Sequence, residues 1–94
     1  MSTQPGWRLA HAIAWREFDG EIVVYHDGTG STHHLGSLGS AVLRALAAHA
    51  SGIGIGALVR ELGIEADPHG DAAADVEHAL DELAELKIAI PVAA

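Results

Sequence analysis

The sequence predicts an α+β domain in which a three-stranded antiparallel sheet is followed by three helices. Asp19-Gly20 separates two strand-like runs, Trp15-Arg16-Glu17-Phe18 and Glu21-Ile22-Val23-Val24-Tyr25-His26. An Asp-Gly pair suits a two-residue hairpin turn in which both central residues need positive φ. A second Gly-rich break, Asp27-Gly28-Thr29-Gly30, returns the chain into a short third run, Thr32-His33-His34-Leu35. From Leu38 onward the apolar spacing changes from two to three-and-four, the period of an amphipathic helix.

Each element follows from its own pattern. Trp7, Leu9, His11, Ile13 and Trp15 recur at every second position, as on one face of a strand, while Ala10, Ala12 and Ala14 blur the alternation. We read an extended lead-in and a first strand over about Ala12 to Phe18, with residues 1–6 disordered. Trp7 and Trp15 read as core or edge-covering aromatics. Ser37 is placed to cap the first helix, Leu38 to Ala50, whose buried stripe is Leu38, Val42, Ala45, Leu46 and His49, with Gly52 as its C-terminal signal. The second helix spans Ile55 to Leu62 on an Ile55, Leu58, Val59 and Leu62 face, and Gly63 stops it. Asp67-Pro68-His69-Gly70 is a polar connector. The third helix runs from Asp71 to about Leu86, with Val76, Leu80, Leu83 and Leu86 on one side and Glu77, Asp81, Glu82 and Glu85 largely on the other. Ile88-Ala89-Ile90 forms an extended tail stopped by Pro91.

Composition narrows the functions available. At 94 residues and 49% hydrophobic, the chain reads as one domain with a core adequate for folding. It has no cysteine, which excludes disulfides, thiolate catalysis and cysteine-zinc fingers and fits a cytoplasmic setting. No basic or apolar opening segment marks it for export, and no apolar run approaches membrane-spanning length. Five basic residues face thirteen acidic ones, a formal net charge of −8. Nine of those acids lie from Glu61 to Glu85, so a helix from that region would repel phosphates, and nucleic acid is not the expected partner.

Seven histidines invite a metal reading, and their spacing argues against it. Adjacent strand residues point to opposite faces, so His33 and His34 do not chelate one ion together. A tight zinc site needs three or four convergent ligands, and no acid stands at a recognisable spacing to complete one. Packing or hydrogen-bonding histidines are the expectation. Ser31, Thr32 and the histidines supply the residue types of a nucleophile and base, but no nucleophile elbow frames them. Gly28-Thr29-Gly30-Ser31 lacks the lysine of a phosphate loop, and Gly52-Ile53-Gly54-Ile55-Gly56 lacks the preceding strand and third spaced glycine of a dinucleotide fingerprint. We therefore expect no catalytic residues, no metal and no cofactor.

Trp15, Phe18-Asp19-Gly20, Val24-Tyr25-His26, Gly30 and Thr32-His33, followed by the Leu38 to Leu46 helix, resemble the PqqD-like peptide chaperones. The likeness is nearest to the branch found in HPr-kinase-related systems and spans about Trp7 to Ile90. It implies a winged-helix-like fold and a recognition element that binds the leader of a ribosomally made precursor peptide and presents it to a separate modifying enzyme or an HPr-kinase-related partner. In such domains the leader adds a strand beside the third strand and rests in a groove bordered by the third helix. On this chain the resemblance points to Ser31, Thr32, His33, His34 and Leu35 on the edge, and to Val76, Ala79, Leu80 and Leu83 on the helix. Read from spacing alone, the Val-Leu-Leu stripe is more often core than groove. Two other readings stand beside this one. A winged-helix transcriptional regulator would need a basic recognition helix and wing, and here only Arg60 lies on the second helix. A homodimer would pair the same exposed edge with itself.

Overall fold

In the computed structural model, residues 5–63 and 71–93 are described, so the Asp67-Pro68-His69-Gly70 connector lies outside the described residues, as do residues 1–4. The elements in order are β1 (Pro5–Leu9), β2 (Ile13–Phe18), β3 (Glu21–His26), β4 (Ser31–Leu35), α1 (Ser37–Ala47), β5 (Ile53–Gly54), α2 (Ile55–Glu61), α3 (Asp71–Glu85) and β6 (Ala89–Ala93). The predicted antiparallel sheet forms in the order β2-β3-β4, which makes β2 and β4 its two edges.

The β2–β3 turn has the expected chemistry. Asp19 and Gly20 have φ of 51° and 83°, the positive pair that matches the twist of a tight hairpin. Gly30, at φ 72°, ends the next turn. Register then sorts side chains by face. Ile22 pairs with Leu35, Val24 with His33 and His26 with Ser31 on the face toward the helices, whereas Val23 pairs with His34 and Tyr25 with Thr32 on the outer face. Ile22, Val24, His26 and Leu35 are buried accordingly, and Thr32, His34 and Tyr25 are exposed.

A second sheet was not anticipated. The lead-in forms β1, flanked antiparallel by β5 and β6 in the order β5-β1-β6. Pro5 and Gly6 belong to β1, so the expected disorder does not extend to them. Pro91 does not stop the C-terminal tail: it lies within β6 opposite Trp7, and β6 is an edge strand, where a missing N–H is tolerated.

The helices differ from expectation at their ends. Ser37 is the first helical residue; Gly36 is the N-cap, with no side-chain cap bond. The helix α1 ends at Ala47, short of Ala50, and Gly52 (φ 112°) acts in the following turn, where its N–H reaches the His49 carbonyl at 2.9 Å. A Cβ there would fall 2.7 Å from the Val92 side chain, so glycine is required on two grounds. At the end of α3, Lys87 adopts φ 65°. Its N–H bonds the Ala84 carbonyl at 3.0 Å, and Ile88 N–H bonds the Leu83 carbonyl at 2.8 Å. This is a Schellman closure, with the buried pair Leu83 and Ile88 making its apolar contact.

The core joins the inner face of β3 and β4 to all three helices through Ile22, Val24, Val42, Leu43, Leu46, Leu58, Val76, Leu80 and Ile88, each at most 1% exposed. Trp7 packs against its margin, while Trp15 remains 37% exposed at the sheet edge.

Candidate functional site: an edge strand facing a helix

Among the described residues strand β4 pairs only with β3, on one side, so its other edge presents unpaired backbone amides and carbonyls. Beside that edge lies a cleft of about 650 Å³. One wall is β4, from Thr32 to Leu35, continued by Gly36 to Gly39 at the start of α1. The facing wall is α3, through Asp75, His78, Ala79, Glu82 and Leu83, continued by Leu86 just past its C-terminus.

Six of the nine residues expected at the site line this cleft: Thr32, His33, His34, Leu35, Ala79 and Leu83. Ser31 lies at the start of the same edge strand, half-buried and outside the cleft lining. Val76 and Leu80 do not reach the cleft. Both are fully buried in the core, as the periodicity alone favoured, because the helix turns that face toward α1 and α2. The cleft-lining stripe of α3 lies about a third of a turn around the helix from Val76 and Leu80, at the 100° per residue of an α-helix. Asp75, His78, Glu82, Leu86 and, from α1, Leu38 were missed. Their signal was present in the spacing of Asp75, Ala79, Glu82 and Leu86, a mixed polar and apolar stripe beside the purely apolar one.

The cleft has an apolar floor and a polar rim. Leu35, Ala79 and Leu83 are buried, while Leu38 is 37% exposed and offers apolar surface at the mouth. On the rim, His78 and Glu82 approach within 3.3 Å across one helical turn, and His34 contacts Glu21 on the outer face at 3.0 Å. Among the described residues no group of three or more His, Asp or Glu converges as a metal site.

Two polar struts set the position of β4 relative to the helices. Ser40, fully buried on α1, accepts the Ile22 N–H at 2.8 Å and donates to the Leu35 carbonyl at 3.2 Å. Its one hydroxyl thus engages both members of a β3–β4 pair. At the opposite end of β4, across from Ser31, stands His26. Its Nδ1 accepts the Gly28 N–H at 3.0 Å and the Thr29 N–H at 3.3 Å, so the ring proton resides on Nε2, which donates to the Lys87 carbonyl at 3.0 Å. His26 therefore holds the β3–β4 turn to the C-terminus of α3. With both ring nitrogens engaged, it is a structural histidine, as the sequence reading expected of the histidines in general.

No family model matches the sequence, and no curated protein matches it significantly. The fold, however, is shared with two solved structures. TbiB1 in complex with the TbiA(beta) leader peptide matches with a TM-score of 0.74 and 20% identity, over 87% of this chain and 93% of that one. Lasso peptide synthetase B1 complexed with the leader peptide matches with a TM-score of 0.70 and 21% identity, over 90% of this chain and 98% of that one. The winged-helix-like α+β architecture implied by the resemblance to PqqD-like domains is thus the architecture of this chain, nearly end to end. Both of these proteins of shared fold were solved with a leader peptide bound.

Proposed function

We propose that this chain is a peptide-recognition element that captures the leader of a ribosomally synthesised precursor by strand addition to β4 and presents the precursor to a separate modifying enzyme. The observation that carries the reading is the unpaired β4 edge forming one wall of a cleft whose other wall is α3. An extended peptide would satisfy the free backbone groups of β4 and place alternate side chains over Leu35, Ala79 and Leu83. Main-chain bonds then supply affinity, and the cleft supplies selectivity. Two proteins of the same fold bound to leader peptides support the assignment.

The role is one of binding, without chemistry of its own, carried out in the cytoplasm where ribosomal precursors are made. The partner is an enzyme that acts on the precursor; an HPr-kinase-related partner rests on the sequence resemblance alone. Within the described residues no helix is long and apolar enough to cross a membrane. The test is a titration of isotope-labelled protein with the leader of a precursor encoded beside it, read by backbone amide shifts. Changes concentrated at Thr32 to Leu35 and along Asp75 to Leu83 are expected. A saturating peptide that leaves both segments unmoved overturns the site, and a mass that doubles with concentration in the absence of peptide favours a β4-paired homodimer.

A further inference from the structure

The chemistry of the cleft rim says more about the peptide than that it is extended. The α3 side of the cleft carries two exposed carboxylates, Asp75 and Glu82, seven residues or about 10 Å apart along the helix. Among the residues that line the cleft there is no lysine or arginine; the cationic candidates are His33, His34 and His78. Of these, His34 is engaged with Glu21 and His78 with Glu82. Among the described residues Asp75 enters no ion pair, and Glu82 has only a histidine one turn away. The rest of α3 strengthens the sign of the field, since Glu77, Asp81 and Glu85 are exposed on the same helix. Below this rim lies the apolar floor of Leu35, Ala79 and Leu83.

We infer that the cleft selects leader peptides bearing a lysine or arginine that meets the Asp75 and Glu82 carboxylates, two positions from an apolar side chain seated on Leu35 and Leu83. This rests on the peptide-binding reading and specifies the chemistry of its ligand. The geometry suits a pair of residues two apart. In an added strand, successive side chains alternate faces and residues two apart share one, so an apolar residue directed at the floor and a basic residue two positions away both face α3. A long basic side chain lays its methylenes along apolar surface while its charge stays at the exposed carboxylates, so little desolvation opposes the contact. An acidic side chain at the same place would meet like charge. Discrimination by the rim therefore comes from repulsion as well as attraction.

The experiment is selection from a display library of random linear peptides, run in parallel on the wild-type chain and on the Asp75→Lys/Glu82→Lys variant. Both substitutions fall on exposed helical positions, and an unchanged circular dichroism spectrum and urea midpoint confirm that the variant is folded. Wild-type selections are expected to be enriched in Lys and Arg two positions from an apolar one, and variant selections in Asp and Glu at the same place. For a selected basic peptide, neutralising either carboxylate with Asp75→Asn or Glu82→Gln weakens binding about two- to fivefold, the range of exposed ion pairs, and added salt compresses the difference. Enriched peptides with no charge preference, or the same preference in wild type and variant, overturn this inference and leave peptide binding intact. A selection that enriches no peptide over a blank surface overturns the peptide-binding reading, and this inference with it.

Discussion

Replacing Ser40 by alanine removes one oxygen atom and tests how the cleft is held. The hydroxyl is fully buried, accepts the Ile22 N–H at 2.8 Å and donates to the Leu35 carbonyl at 3.2 Å. Alanine fits the same space, so no sizeable cavity adds to the cost, but it leaves a buried amide hydrogen without this acceptor. A stranded buried donor costs about 1–3 kcal/mol, whereas the Leu35 carbonyl, with a second lone pair, loses less. We expect a loss of about 2 kcal/mol out of the roughly 5–14 kcal/mol available to a domain of this length. Urea denaturation is expected to show a lower midpoint at constant m, and thermal unfolding a midpoint lower by on the order of 10 °C. Amide exchange adds a site-specific readout: the Ile22 amide should lose protection beyond the global change. Because the strut holds the Leu35 end of β4 against α1, peptide affinity falls as well. A stability loss below about 0.5 kcal/mol with Ile22 protection unchanged would refute the assignment of Ser40 as the link between strand and helix.

Three further predictions follow from the same geometry. His26→Ala removes the partner of two amides and one carbonyl and is expected to cost about 2–4 kcal/mol by urea denaturation, while nitrogen shifts of the wild-type ring should report the proton on Nε2; a proton on Nδ1 contradicts the structure. Lys87→Gly relieves a side-chain-bearing residue at φ 65° and should stabilise the chain by about 0.5–1 kcal/mol, and destabilisation would show that the lysine side chain contributes more than its backbone strain costs. Ala79→Trp fills the cleft floor from a position that is 8% exposed; peptide affinity is expected to fall at least about tenfold with the fold retained, and unaltered binding by a folded variant places the peptide elsewhere.

Local signals in the chain were sufficient for the β2–β3–β4 sheet and the three helices. Asp19-Gly20 and Gly30 dictate turns through their own φ preferences, and the helical stripes report burial through spacing, without reference to distant residues. The ends of elements were less legible. Ser37 has the chemistry of an N-cap, yet Gly36 takes that place, because the strand that precedes the helix sets where the chain first turns. Pro91 reads as a stop, and only the edge position of β6 makes it harmless. The candidate site shows the same division. The β4 edge was named from sequence with its residues, whereas Val76 and Leu80 proved to be core, and Asp75 and Glu82 replaced them on the cleft wall.

By itself, then, the sequence determined those features whose energies are local: turn geometry, the period of each amphipathic element, the acidic character of α3 and the absence of cysteine chemistry. The tertiary structure decided that β1 pairs with β5 and β6 in a second sheet, which flank of α3 faces β4, and where the buried polar atoms of Ser40 and His26 find partners 18 and 61 residues away. The reason is physical. Periodicity states that a face must leave water but not what covers it, since burial energy is non-directional. A hydrogen bond between distant residues depends on how whole elements dock, and no local pattern records that.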